Sequence, residues 1–373
     1  MSENADSIWS LRPLDSWSPG GSRLDIFGPC SAESERQLAQ AAEGLVALER
    51  PFVFRAGIWK PRTRPGSFEG LGVTALPWLK SIKERFNIPV ITEVAKAEHV
   101  EACLEHDIDM LWIGARTTVN PFSVQEIADA LNGVDIPILV KNPIHPDLSL
   151  WIGALERVMG AGIKSVAAIH RGFHYHDNRP YRNMPNWELP IELKRLHPKL
   201  PIICDISHIA GSPDLLHQVA QRALDLMMDG LHIEVHPDPQ EALSDARQQI
   251  NPDALEYLFK GLRVSRRAVN DPIFIAELEK LRSQIDEIDT RIVELLVERM
   301  KVVEEIGEQK RDKGVSIFQL KRWKAIIEHY MSQGSEEGLS GSFLREVVEA
   351  IHSESIDIQQ RIMDGRMMDQ SKS

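Results

Sequence analysis

The sequence predicts an α/β fold, a (β/α)8 TIM barrel, followed by a separate all-helical domain, and three observations carry that reading. Short apolar runs alternate with amphipathic stretches eight times between residue 24 and about residue 250. Beyond residue 255 the strand signal stops, and apolar residues recur at helical spacing instead. At 373 residues the chain is longer than one ordinary domain requires.

The strand-like runs are LDIFGPC (24–30), FVFRAG (52–57), IPVITEV (88–94), DMLWIGA (109–115), IPILVKN (136–142), SVAAIHRG (165–172), PIICDIS (201–207) and GLHIEVH (230–236). Their starts lie 21 to 36 residues apart, room for one helix each. Strands that are apolar throughout are buried on both faces, as in a parallel sheet joined by helices. Eight evenly repeated units fit a closed barrel better than a doubly wound sheet.

GLRVSRRAVNDP (261–272) is polar and basic and reads as a linker, and Asp271-Pro272 supplies an N-cap acid with proline at the first helical position. From there Ile275, Leu278, Leu281, Ile285, Ile288, Ile292, Leu295 and Leu296 follow helical spacing, continuing through Val302, Val303 and Ile306. About 40 residues without proline make a helix of roughly 60 Å at 1.5 Å per residue. That is too long for a small domain on its own, so a helix from a second copy is expected to cover it, giving an intertwined dimer of three-helix chains. Two more helical segments lie near 318–332 and 342–363. The expected boundaries are an extension 1–23, a barrel 24–258, a linker 259–272, a helical domain 273–365 and a tail 366–373.

The net charge is −12, with 43% hydrophobic and 26% charged residues, and neither end of the chain is basic. This excludes a dedicated nucleic-acid or anionic-membrane protein. Three cysteines (Cys30, Cys103, Cys204) make no disulfide framework and suit a reducing compartment. The opening MSENADSIWSLRPLDSW has no signal-peptide grammar, and no apolar run reaches the roughly 18 residues of a membrane span. A cytoplasmic location is expected.

Barrel active sites lie at the C-terminal ends of the strands. Those ends carry Cys30, Arg55 with Lys60, Glu93, Arg116, Lys141, Arg171, His208 and Glu234. So many cations on one rim repel one another unless anions lie between them, which implies substrates rich in phosphate and carboxylate. Cys30, His208, Glu234 and Asp245 combine a thiolate, an imidazole and two carboxylates, a set suited to Mn²⁺, Fe²⁺, Co²⁺ or Zn²⁺. His170, His174 and His176 read as a solvated loop. His232, Glu234 and His236 share a strand face, with partners assignable for Glu234 alone.

GPCSAES (28–34), KPRT (60–63), TEV (92–94), IGAR (113–116), VKN (140–142), HRG (170–172), DISH (205–208) and EVHPDPQEALSD (234–245) resemble the 3-deoxy-D-arabino-heptulosonate 7-phosphate synthases, over most of residues 24–250 and closest to their short microbial subclass. The resemblance implies Cys30, His208, Glu234 and Asp245 as ligands of a divalent metal, Mn²⁺ first among the choices. It implies Arg55, Arg116, Lys141 and Arg171 as the phosphoenolpyruvate site, and Lys60, Arg62 and Thr63 as the erythrose 4-phosphate site. Lys60, Glu93, Lys141 and His208 become the catalytic set. The sibling octulosonate phosphate synthases resemble Lys-Ala-Asn-Arg where this chain has Lys60-Pro61-Arg62-Thr63, which favours the four-carbon aldose. The chain departs from the pattern it resembles at Arg64-Pro65-Gly66, where Ser-Pro-Tyr is common.

Arg299 and Lys310 lie 11 residues apart, within about 20° of one helix face, and Arg282 is turned about 100° away. LRSQIDEIDTRIVELLVERMKVVEEIGEQK (281–310) and SIDIQQ (355–360) resemble the all-helical chorismate mutases over about 275–363. That resemblance implies Arg282, Arg299, Lys310, Arg322, Ser355 and Gln359 as the chorismate and prephenate site, with Lys310 and Gln359 catalytic at the ether oxygen. Better-known members place acids around the retained arginine, where this chain has Gln319 and Trp323. The functional expectation is a homodimeric, bifunctional synthase and mutase, with prephenate or chorismate feeding back on the synthase. The alternative is a synthase whose helical domain only binds prephenate or chorismate as a regulator.

Overall fold

The computed structural model describes residues 9–60, 66, 68–176, 179–264, 272–336 and 338–365. Arg62, Thr63, Arg64, Pro65 and residues 265–271 of the expected linker lie outside the described residues. The chain divides into two compact units, Met1–Arg267 and Ala268–Ser373.

In the first unit, β1 (Ile26–Gly28), β2 (Val53–Arg55), β3 (Val90–Val94), β4 (Met110–Ile113), β5 (Ile138–Lys141), β6 (Val166–His170), β7 (Ile202–Asp205) and β8 (Gly230–Glu234) form a closed barrel in sequence order. All pairs are parallel, and β8 returns to β1 with Glu234 opposite Gly28. Eight helices wrap the outside: α1 (Glu35–Val46), α2 (Leu76–Phe86), α3 (Ala97–Glu105), α4 (Pro121–Ala130), α5 (Leu148–Gly160), α6 (Glu188–Leu196), α7 (Pro213–Asp225) and α8 (Pro252–Gly261). Their starts follow local chemistry. Ser34, Asp147 and Asn251 accept hydrogen bonds from backbone N–H groups in the first turns of α1, α5 and α8, and proline opens α4, α7 and α8. α8 reaches Gly261, past the point where the sequence hands over to a linker, because Phe259 packs edge-on to Phe27 at 5.5 Å.

Strand alternation sorts the core into two layers. Outward residues such as Phe54, Leu111, Val140, Ile202 and Leu231 pack under the helices. Inward residues Ile26, Val53, Ile91, Met110, Leu139, Ala167 and Ile203 fill the barrel, and Leu14 and Trp17 of the N-terminal extension pack against them. Two residues further along β2, β3, β4, β5 and β7 the same inward direction delivers Arg55, Glu93, Trp112, Lys141 and Asp205, and β8 adds His232 and then Glu234. A polar rung therefore stands on an apolar one.

The second unit holds α9 (Pro272–Lys313), α10 (Leu320–Glu336) and α11 (Gly341–Met363). A Cβ on Gly307 would stand 2.9 Å from Ile362 Cδ1, so glycine lets α9 and α11 cross closely. Val303, Leu344, Val348 and Ile358 are buried at this small core. Leu281, Ile285, Ile288, Ile292 and Leu295 stay between 49% and 61% exposed within one chain. Among the described residues no helix is long and apolar enough to cross a membrane.

Candidate active sites

The polar rung is dense with charge. Arg55 is buried, and its Nη2 donates to the Cys30 carbonyl at 3.1 Å and lies 3.2 Å from Glu234 Oε1. Its Nη1 meets His232 Nε2 at 3.1 Å, and its guanidinium carbon stands 5.0 Å from the Trp112 ring centre. Lys141 Nζ pairs with Asp205 at 2.8 Å. Trp112 Nε1 donates to Glu93 Oε2 at 3.1 Å, and a Cβ on Gly114 would collide with that carboxylate, which accounts for the glycine of IGAR.

Cys30 Sγ, a Glu234 oxygen and an Asp245 oxygen lie within 4.8 Å of one another. His208 Nε2 is 3.9 Å from Glu234 and 4.0 Å from Asp245, while its Nδ1 lies 2.9 Å from Asp205. A proton held on Nδ1 for Asp205 leaves the Nε2 lone pair facing the cluster, the tautomer a metal-ligating histidine needs. Glu234 Oε1 is buried without a hydrogen bond. A buried carboxylate oxygen that is ion-paired to Arg55 but accepts no hydrogen bond, beside a thiol, a second carboxylate and an imidazole lone pair, fits a divalent cation. Asp245 reaches the cluster from a left-handed backbone (φ 50°).

Burial and neighbouring charges shift the ionisation of several of these groups. Burial first, then the Glu234 charge, pushes the Cys30 thiol up to about 12. Burial also opposes ionisation of Glu234, yet His208 and Arg55 overcome it and hold the carboxyl down at about 2. Burial works against the Lys60 charge, but Cys30 and Glu234 outweigh it and raise its pKa, with Nζ 3.0 Å from the sulfur and 2.8 Å from the Cys30 carbonyl. Burial, then Arg182 and Arg116 against a partial offset from Asp205, lowers Arg171 to about 10. A cavity of about 100 Å³ opens among Lys60, Glu93, Arg116, Lys141, Arg171 and His208.

The structure thus brings together Cys30, Arg55, Lys60, Glu93, Arg116, Lys141, Arg171, His208, Glu234 and Asp245. It also supplies groups that the sequence reading left unassigned. Asp205 links Lys141, His208 and His232, whose Nδ1 stands 2.9 Å from it. Arg182 pairs with Asp245 at 3.2 Å and contacts Gln248, which donates to Glu234. Asn183 accepts from Arg171 at 2.9 Å and donates to the His208 carbonyl at 2.6 Å. The DISH motif offered a signal for Asp205, and the β8 alternation offered one for His232, which is fully buried. His170 corrects the solvated-loop expectation: it ends β6, is fully buried between Phe173 and Trp187, and burial followed by Arg171 lowers it to about 3. His174 and His176 are exposed as expected.

In the helical unit, Arg299 Nη1 donates to Ser355 Oγ at 2.7 Å, and Lys310 Nζ donates to Gln359 Oε1 at 2.9 Å and to the Ile317 carbonyl at 2.6 Å. These four residues form one cluster where α9 crosses α11. Burial lowers the Lys310 ammonium. Arg282 is not in that cluster within one chain; it is exposed and paired with Glu279 at 2.6 Å. Arg322 is exposed on the first turn of α10, and the Trp323 ring stacks on His352 at 3.9 Å.

A parallel eight-stranded barrel with cations around a thiol, imidazole and carboxylate cluster defines an enzyme of anionic substrates, here followed in sequence by a helical unit. A family model for the DAHP synthetase I family matches residues 18–267, and one for chorismate mutase type II matches residues 281–360. The phospho-2-dehydro-3-deoxyheptonate aldolase of Thermotoga maritima is 30% identical over 238 residues, covering 64% of this chain and 68% of that protein. A 2-dehydro-3-deoxyphosphooctonate aldolase of Geotalea daltonii is 28% identical over 264 residues, covering 65% and 93%. A crystal structure of the Thermotoga maritima DAHP synthase is similar with a TM-score of 0.57 at 27% identity, covering 64% of this chain and 67% of that one. The chain belongs to the DAHP synthetase I family and carries a type II chorismate mutase domain after its barrel in sequence. It is a bifunctional enzyme of the shikimate pathway, a synthase joined to a mutase.

Proposed function

We propose that the barrel condenses phosphoenolpyruvate with erythrose 4-phosphate at the polar rung, and that Cys30, His208, Glu234 and Asp245 hold a divalent metal there, Mn²⁺ in the first instance. The observation that carries this is the buried convergence of the Cys30 thiol with Glu234 and Asp245 oxygens, where Glu234 Oε1 makes no hydrogen bond and is ion-paired with Arg55. Arg55, Arg116, Lys141 and Arg171 hold the phosphate and carboxylate of phosphoenolpyruvate, and Arg55 also braces Glu234 and the Cys30 carbonyl. Lys60, with Arg62 and Thr63, takes the aldose phosphate end and stands between the reacting carbons. The bound metal supplies Lewis-acid polarisation of the aldehyde. C3 of phosphoenolpyruvate bonds to the aldehyde carbon, water adds at C2, and phosphate leaves with C–O cleavage. Glu93, fixed by Trp112, orients that water. A chelator is expected to abolish phosphoenolpyruvate consumption, and Mn²⁺ to restore it. Erythrose 4-phosphate is expected to outcompete arabinose 5-phosphate; the reverse preference would overturn the substrate reading.

In the helical unit, Arg299, Lys310, Ser355 and Gln359 bind chorismate, with Arg322 and an Arg282 from a second copy completing the clamp on its two carboxylates. The rearrangement to prephenate needs no nucleophile, so held geometry and donors at the ether oxygen suffice. The exposed apolar row on α9 supports this dimer, since such a face needs a partner helix. The same site, filled with prephenate or chorismate, lowers synthase activity. Synthase rates at rising prephenate, in the intact chain and in a chain ending near residue 265, test this; equal responses in both would sink it.

A further inference from the structure

We propose that His352 is a substrate contact of the mutase site, its Nε2 accepting a hydrogen bond from the ring hydroxyl of the bound dicarboxylate. This rests on the reading of Arg299, Lys310, Ser355 and Gln359 as that site. His352 stands three residues before Ser355 and seven before Gln359 on α11, so all three share one helix face. Its Nε2 is closed off from solvent and has no hydrogen-bond partner. A buried polar atom left unpaired costs about 1–3 kcal/mol, which a bound donor would recover.

The ring is held in a fixed plane. Trp323 of α10 stacks on it at 3.9 Å and 13°, and Phe318, just before α10, lies 6.1 Å away at 57°. The tryptophan that stands where relatives carry an acid thus orients the imidazole. An inventory of acceptors points to the same atom. Arg299 and Lys310 can only donate. Ser355 Oγ accepts from Arg299 and donates to the Ile351 carbonyl at 2.7 Å. Gln359 Oε1 accepts from Lys310, and its Nε2 donates to the Ser355 carbonyl at 3.1 Å. Among the described side-chain acceptors of this cluster, His352 Nε2, with the proton on Nδ1, is the one that has no donor at all, and it is offered to the substrate hydroxyl. Burial, then the Arg299 and Lys310 charges of α9, lowers the imidazole below its ordinary value and keeps that lone pair available.

The test uses the full-length enzyme with chorismate and an analogue in which the ring hydroxyl is replaced by hydrogen. The native enzyme is expected to favour chorismate by about tenfold in kcat/KM, the worth of one hydrogen bond at a buried site. His352→Phe preserves an aromatic stack and removes Nε2; chorismate should lose about that same tenfold while the analogue is unaffected. His352→Gln, which restores an acceptor, should recover the preference. A native enzyme indifferent to the hydroxyl overturns the proposal, and so does a His352→Phe loss that is equal for both substrates. His352→Leu repeats the comparison without the stack, so a folding defect in one variant leaves the other to decide. Arg299→Ala separates the levels: if it leaves chorismate turnover intact the site reading itself fails, whereas a collapse there with no change of preference in His352→Phe refutes this inference alone.

Discussion

The rim of the barrel and the helical cluster both gather cations, yet they are built differently. At the rim, Arg55, Lys141, Asp205 and Glu234 are buried and meet opposite charges from the same chain, so the geometry is fixed before any substrate arrives. In the helical unit, two cations reach α11 through neutral partners, Ser355 and Gln359, and Arg282 is spent on Glu279 in solvent. The contrast follows the chemistry. Joining two anions and expelling phosphate calls for a preorganised, water-poor charge array, whereas an internal rearrangement needs a clamp that closes around one molecule.

The comparison breaks most sharply at Cys30. Cys30→Ser should cut synthase turnover by about two orders of magnitude or more, because even the outer partners of metal ligands are worth 10–100-fold. Mutase turnover in the same protein should be unchanged, and parallel assays of both reactions check it. Arg299→Ala inverts the pattern. Losing one charged contact costs about 2–5 kcal/mol, so prephenate formation should fall at least tenfold with the synthase rate kept. Ile288→Glu tests whether the helical site is finished by a second copy. A charge in the α9 seam should convert a sedimenting dimer to monomers at micromolar concentration and lower mutase turnover with it.

The smallest effect concerns the barrel alone. His170 is held near 3 in the folded protein, against about 6.5 when unfolded. As the pH drops below 6.5 the unfolded chain takes up the proton first, so folded stability declines by about 1.4 kcal/mol per pH unit until the folded value is reached. His170→Phe removes that contribution. Urea melts of the variant at pH 6 and pH 4.5 should differ less than those of the native enzyme.

Much of the barrel was legible because its signals are local. Eight apolar runs and their spacing predict strands, and a charged residue two positions beyond an inward apolar one predicts a rim group, as with Val53 and Arg55 or Leu139 and Lys141. The cluster of Cys30, His208, Glu234 and Asp245 was legible through unusual residue types. Arg182, Asn183 and Gln248 were not, because they act through contacts made only after the barrel closes, and arginine, asparagine and glutamine in a loop are ordinary. The HRGFHYH string misled for a related reason: its histidines and arginine make it read as a polar loop, but strand direction buries His170 and releases His174 and His176.

Arg55 carries one more consequence, for the order in which this protein is made. Its guanidinium leans on the Cys30 carbonyl, which emerges early, and on His232 and Glu234, which emerge last in the barrel. Until β8 leaves the ribosome, the growing chain has a cation in its interior with half its partners still unmade, a state that disfavours closure around a dry centre. The last strand therefore acts as a certificate of completeness. A barrel truncated before residue 230 would leave the Arg55 guanidinium without His232 and Glu234, the partners that balance it in the finished one.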